Sequence, residues 1–336
     1  MQNMLDPAIL FFVFGVFAGA VKSNLEIPPA ISRFLSLYLL MALGLKGGFA
    51  LSHSGLTGEV AASLGAAIAL AFLIPLLGYW ILKRLMSGFD AAAVAATYGS
   101  VSAVTFVTAV QYLETQGVDY GGHMAAAMAL MESPAIVLAV VVANILRRQH
   151  CALPSPAADG GSVALTQPEI TSRVSLRKVL HEALTDGAQL LLLGAMVVGI
   201  LTGDSGKAAM EPFSGDLFKG MLAFFLLDMG LMAARNLPQV KGNSPWVIAY
   251  AVLGPVLHAT LALGLAVVLG LGVGNGALLM VLAASASYIA VPAALRHAIP
   301  EANPSLYFGL SLGVTFPLNI VIGIPAYLAT ANYFLG

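Results

Sequence analysis

The chain has 336 residues, of which 59% are hydrophobic and only 9% charged, with a net charge of −1. A soluble domain carries about 25% charged residues, so this composition excludes a water-soluble globular protein and points to an integral membrane protein. The apolar stretches are continuous, as in Ala66–Leu77 and Ile320–Ala329, which excludes the alternating pattern of a transmembrane barrel. With no basic tract there is no case for a nucleic-acid partner, and the single cysteine, Cys151, excludes a disulfide framework or a thiolate metal site.

A membrane-crossing helix needs about 20 mostly apolar residues. That ruler places ten spans in chain order: Pro7–Val21, Pro29–Leu51, Val60–Leu82, Ala91–Leu113 and His123–Leu146, then Leu184–Thr202, Pro212–Ala234, Pro245–Leu269, Ala277–His297 and Ser305–Tyr333. No Lys or Arg precedes the first apolar run, so it reads as a first span and not a cleaved signal peptide. Basic residues are retained on the cytoplasmic side. With Arg147, Arg148, Arg173, Arg177 and Lys178 placed inside, the alternation of spans leaves only Lys46, Lys207 and Lys219 of the 15 Lys and Arg elsewhere. This orientation, in a bacterial cytoplasmic membrane, puts both termini outside.

The polar stretch Gln149–Ser175 contains Pro154, Pro156, Gly160 and Gly161 and reads as a cytoplasmic linker. The expected units are residues 1–148, a linker over 149–178, and residues 179–336. Five spans on each side give the halves opposite orientation, as in inverted-repeat transporters. Weak internal likeness agrees. Leu40–Leu51 lies over Leu226–Leu237, Ser100–Ser102 over Ser285–Ser287, and Pro134 over Pro317. The fold class expected is therefore all-α, with two inverted five-helix repeats.

The fourth and ninth spans carry small hydroxyl residues at their centres, in Ala95–Thr105 and Ala283–Pro292. Gly99 and Pro292 permit a helix break, and Ser or Thr can satisfy the backbone groups freed by it. A half-helix N-terminus offers unpaired N–H groups and a partial positive charge, so two facing breaks would hold a small anion without a buried Lys or Arg. Ser100, Ser102, Thr105, Ser285 and Ser287 are the hydroxyl donors. The plainer alternative is that these small residues only allow close helix packing.

Ionisable residues inside a membrane are costly and usually functional. Glu132, in the fifth span, is a carboxylate for a cation. Lys46 and Asp228 occupy matched positions of the two halves and either pair, or Lys46 snorkels to the outer interface. His258 reads as a hydrogen-bonded structural residue. No Walker loop, His-Glu-x-x-His or Gly-x-Ser-x-Gly motif is present, so an enzyme is not expected. An intramembrane hydrolase using Ser100 or Ser287, or a sensor without transport, is the distant alternative.

The run Arg296-x-x-Ile299-Pro300-x-Ala302-Asn303-Pro304-Ser305 with Tyr307, Gly309 and Pro317 resembles the sodium-dependent bicarbonate transporters of cyanobacteria. In the first half Ile27-Pro28, Ala30-Ile31-Ser32, Gly44-Leu45, Gly47-Gly48, Ser100–Ser102, Pro134-Ala135 and Val142–Ile145 carry the same likeness. The resemblance implies ten helices in inverted repeats, a trimer, bicarbonate and sodium bound between the fourth and ninth spans, and inhibition by a cytoplasmic PII-like protein. Carried over, the substrate-binding residues are Gly99, Ser100, Ser102, Thr105, Ser285 and Ser287, with Tyr288 where the family's typical Ser-Ser-Ser-Asp-Ile-Ser-Gly-Pro-Pro pattern has its carboxylate. Glu132, Ser102 and Ser287 are the ligands for a coupling sodium ion. The function expected is elevator-like symport of a small anion, first bicarbonate, with sodium- or proton-coupled import of an organic anion as the alternative.

Overall fold

The computed structural model describes residues 6–55, 57–151, 181, 185–240 and 242–336. Most of the expected linker, from residue 152, and the expected start of the sixth span at Leu184 lie outside them. The described residues are helical and contain no strand. The helices are α1 (Pro7–Ala20), α2 (Pro29–Ser54), α3 (Gly58–Leu82), α4 (Gly88–Gly99), α5 (Ala103–Gln116) and α6 (Met124–Cys151). After the linker come α7 (Gly187–Glu211), α8 (Phe218–Asn236), α9 (Pro245–Leu269), α10 (Val273–Ala284) and α11 (Ala290–Ala298). The last, α12 (Pro304–Leu335), widens into π turns at Gly309–Thr315 and Asn319–Gly323.

Local chemistry sets the starts. Asp6 accepts the Ala8 N–H at 2.8 Å ahead of Pro7, and Ser87 accepts the Asp90 N–H at 3.1 Å; both fill donors that the first helical turn leaves free. Seven helical stretches among the described residues are long and apolar enough to cross a membrane, and Pro7–Ala20 and Val273–Ala284 are shorter apolar helices. One of the seven, Gly187–Val240, has 54 residues. Straight, it would extend about 81 Å at about 1.5 Å per residue, far beyond a hydrocarbon core of about 30 Å. It instead turns at Gly203, with φ 52° and ψ −137°, and again through the π turn Pro212–Asp216.

The helices form a panel and a core. In the panel α1 packs on α8 and α2 on α7, and each pair runs parallel. Gly15 meets Leu227 and Gly230 while Gly19 meets Leu231 and Ala234; Gly44 meets Leu192 and Ala195 while Gly48 meets Met196 and Gly199. Backbones touch at these points. A Cβ on Gly199 would lie 2.7 Å from the Leu45 carbonyl, and one on Gly48 would collide with the Met196 carbonyl. Such small-residue seams give membrane helices the van der Waals contact that a hydrophobic effect cannot supply within lipid.

The core gathers α3–α6 and α9–α12. Its broken stretch α4–α5 is 94% buried over its most apolar window, against 33% for α9, so the broken element is central and α9 faces outward. At one end Arg147 of α6 grips Glu301 through two bonds of 2.7 Å and donates to the Ala298 carbonyl at 2.9 Å. The guanidinium holds the Glu301 carboxyl below its ordinary range. This pair fixes the α11–α12 turn against α6.

Gly199→Leu forces α2 and α7 apart; overpacking of this kind costs about 1–3 kcal/mol or more. Gly194→Leu on the same helix meets nothing within 4 Å. Thermal melts in detergent are expected to show a drop of several degrees for the first variant and no change for the second.

Candidate functional site

Two helix breaks meet in the centre of the core. The α4 helix ends at Gly99, Ser100 is extended at φ −98° and ψ −178°, and α5 restarts at Ala103. The α10 helix ends at Ala284, Ser285 is extended at φ −80° and ψ 163°, and α11 restarts at Ala290. Pro292 is the third residue of α11, where the first turn has free N–H groups in any case, so its missing donor is tolerated. Close packing requires Gly99, because a Cβ there would lie 2.6 Å from three ring carbons of Pro75 on α3.

The breaks bond to each other. The Ser102 N–H donates to Ser285 Oγ at 3.0 Å, and Ser285 Oγ donates onward to the Leu282 carbonyl at 2.9 Å. In return the Ser287 N–H donates to the Thr97 carbonyl at 2.8 Å. Each restarting helix has a serine at its head. Ser102 Oγ accepts the Thr105 N–H at 3.2 Å and the Thr105 hydroxyl at 3.0 Å, and Ser287 Oγ accepts the Val291 N–H at 3.3 Å. Ser100, Ser102, Thr105, Ser285 and Ser287 are all at most 4% exposed. Thus the six positions expected from Gly99 to Ser287 come together.

Ser100 Oγ is buried without a hydrogen-bond partner. An unsatisfied hydroxyl in such a place is uncommon and leaves a hydrogen bond open to a ligand or an ordered water. Around it the breaks present two half-helix N-termini, at α5 and α11, whose partial positive charge suits an anion.

Tyr288 lies at the same crossing. It is buried at 4% exposure, its ring meets Phe316 edge-on at 5.1 Å, and its hydroxyl points to Met229 Sδ at 3.6 Å and towards the Ser102 side chain. Glu132 is placed differently. Its carboxylate accepts from Gln189 Nε2 of α7 at 2.6 Å, and no bond joins it to Ser102 or Ser287. Lys46 does not pair with Asp228: its ammonium binds Glu114 at 3.0 Å and sits 4.3 Å over the Phe218 ring. Lys46 and Glu114 line a separate cavity of about 350 Å³ with Asp119 and Tyr120. Among the described residues no trio of His, Cys, Asp and Glu gathers as a metal centre.

Two supporting residues escape the sequence reading. Asn319 Nδ2 on α12 donates to the Ala284 carbonyl at 2.8 Å and its Oδ1 accepts from the Tyr327 hydroxyl at 2.9 Å, which satisfies the open end of α10. Thr315 donates to the Ala251 carbonyl at 2.7 Å, so Tyr98 is the donor in the 2.6 Å bond to Thr315 Oγ1. An amide within the apolar run Phe316–Gly323 was the available signal for Asn319. His258 is buried beside Tyr98 and Tyr250 and against the Ala283 carbonyl, and its Nδ1 has no hydrogen-bond partner.

Asn319→Leu strands the Ala284 carbonyl and the Tyr327 hydroxyl, and each buried unpaired group costs about 1–3 kcal/mol. A detergent melt is expected to fall by several degrees, with Asn319→Gln recovering part of it. No curated protein matches the chain. The model of the Na+-dependent bicarbonate transporter superfamily, a transporter family, matches residues 7–332, nearly the whole multi-pass chain. The chain belongs to the Na+-dependent bicarbonate transporter superfamily.

Proposed function

We propose that the protein imports bicarbonate together with sodium, binding the anion where the two breaks cross. The observation that carries this reading is the reciprocal contact of Ser102 with Ser285 and of Ser287 with Thr97, beside the unpartnered Ser100 hydroxyl. The break segments touch directly, so a ligand held between them must be small. The N–H groups and hydroxyls that head α5 and α11 supply hydrogen-bond donors and positive dipole ends. Family membership supports bicarbonate as that anion and sodium as the coupling ion.

Ten crossings in two inverted halves accommodate the helices. On this count α4–α5 and α10–α11 are single broken spans, and Gly187–Val240 contributes two. The parallel pairs support it: α1 pairs with α8 and α2 with α7, a crossed exchange that maps onto itself when first and second halves are swapped. The caps agree as well. Asp90 Oδ1 at the head of α4 accepts the Asn303 N–H at 2.8 Å, and Asn275 Oδ1 at the head of α10 accepts the Gly121 N–H at 2.7 Å.

Transport follows from this division. The core carries the breaks past the glycine-packed panel, in elevator-like alternating access, and exposes the crossing to each side in turn. The panel also serves as the scaffold for a trimer in a bacterial inner membrane, with the linker inside and both termini outside. A cytoplasmic PII-like protein is the regulator on this reading. Ser102 and Ser287 are shared between anion and sodium; Glu132, held by Gln189, supports the panel–core contact.

Uptake of labelled bicarbonate into proteoliposomes tests this reading, with and without an inward sodium gradient. Sodium-driven uptake is expected in the native chain. Ser102→Ala combined with Ser287→Ala is expected to weaken it by about 100-fold or more, since two bonds are lost and each hydrogen bond to a charged group is worth about 1.5–3 kcal/mol. Sodium-independent kinetics, or an unaffected double variant, would refute the assignment.

A further inference from the structure

Asp228 lies midway along α8 and is only 5% exposed, and its Oδ2 has no hydrogen-bond partner. Its neighbour Met229 takes the Tyr288 hydroxyl at 3.6 Å. The Asp228 charge itself reaches Tyr288, whose hydroxyl lies towards Ser102. The Ser32 hydroxyl, in the first turn of α2, stands near the same carboxylate. This carboxylate therefore borders the crossing from the panel side.

Among the described residues no cation forms a salt bridge with it, and Arg235 acts on it only through space. Arg235, two helical turns further along α8, is exposed and donates to the Leu25 carbonyl at 2.9 Å. Lys46 is bound to Glu114 at 3.0 Å. A buried carboxylate with one oxygen unpaired is unfavourable in a membrane interior. It would also repel an anion held at the adjacent N-termini. A cation between the carboxylate and the break removes both conflicts at once.

The donor set selects the ion. One carboxylate and the hydroxyls of Ser32, Tyr288 and Ser102 are hard oxygen ligands with a total charge of −1, which neutralises a monovalent ion. A calcium-type site takes about 6–8 oxygens, usually with several carboxylates, and no trio of acidic or imidazole groups gathers among the described residues. We propose that Asp228 is the carboxylate of a sodium site formed between α8 and the Ser285–Ile289 break. This rests on the reading that sodium is the coupling ion, and it relocates the charged ligand from Glu132 to the panel. Because α8 belongs to the panel and the break to the core, the site is complete only when the two lie together as they do here. Sodium binding thereby favours this one arrangement over those in which α8 and the break lie apart.

The experiment is a sodium titration of purified protein in bicarbonate-free buffer, with choline replacing sodium, read as the thermal transition. The native chain is expected to show a saturable upward shift with sodium but not with choline. Asp228→Asn is expected to raise the half-saturating sodium concentration at least tenfold, while its transition without sodium is no lower, since a buried charge with one unpaired oxygen has been removed. Asp228→Glu should retain part of the response, and Glu132→Gln all of it. A native chain indifferent to sodium, an Asp228→Asn titration that matches the native one, or loss of the response in Glu132→Gln alone would each overturn the proposal. Sodium binding through Asp228 without bicarbonate uptake would refute the substrate reading alone. Sodium-driven uptake with an unchanged Asp228→Asn titration would refute this site alone.

Discussion

The structure depends on one constraint: a helix that stops inside a membrane must have its open backbone groups satisfied by protein. Two helices stop here, at Gly99 and at Ala284. Water is absent from that depth, so the released carbonyls and N–H groups recruit whatever lies nearest. Thr97 takes the Ser287 N–H, Leu282 takes the Ser285 hydroxyl, and Ala284 takes Asn319. Ser102 and Ser287 then cap the restarting helices. The choice of serine, threonine and asparagine at these places follows from that accounting, and so does the crossing of the two breaks, because each is the nearest partner of the other.

The same accounting separates the two bodies. Panel helices α1, α2, α7 and α8 keep their backbone bonds within themselves and meet through glycine seams, as at Gly15 with Gly230 and Gly48 with Gly199. Such seams involve few side chains that must repack and so form a stiff frame. The core instead holds its polar groups in a connected interior network. Relative motion is easiest between bodies that share few directional bonds, and the Lys46–Glu114 pair and the Glu132–Gln189 bond are the polar links that span from α2 and α7 to α5 and α6.

Hydropathy made the all-helical, multi-pass character legible, and the hydroxyl clusters marked both breaks to within a residue or two. Length alone read less well. The α1 helix has only 14 residues, α10 only 12, and α7 joins α8 in one helical stretch of 54, so a strict length rule finds seven crossings where the apolar pattern suggests ten. Contacts between distant elements were out of reach. The Gln189 partner of Glu132 was not legible, because an isolated carboxylate in an apolar run carries no sign of a residue 57 positions away. Asn319 was missed for the complementary reason: one amide among apolar residues becomes meaningful only once Ala284 is known to be an open helix end.

The two breaks are related in pattern but unequal in chemistry. Ser285 Oγ is bonded on both sides, accepting from Ser102 and donating to Leu282, whereas its counterpart Ser100 Oγ has no partner. Asn319 closes the end of α10. The second-half break is therefore saturated by protein and the first-half break is not. A pseudo-symmetric site binds a ligand on the side where its symmetry fails, because only there are donors left over. Under the symport reading the anion leans on Ser100 and the head of α5.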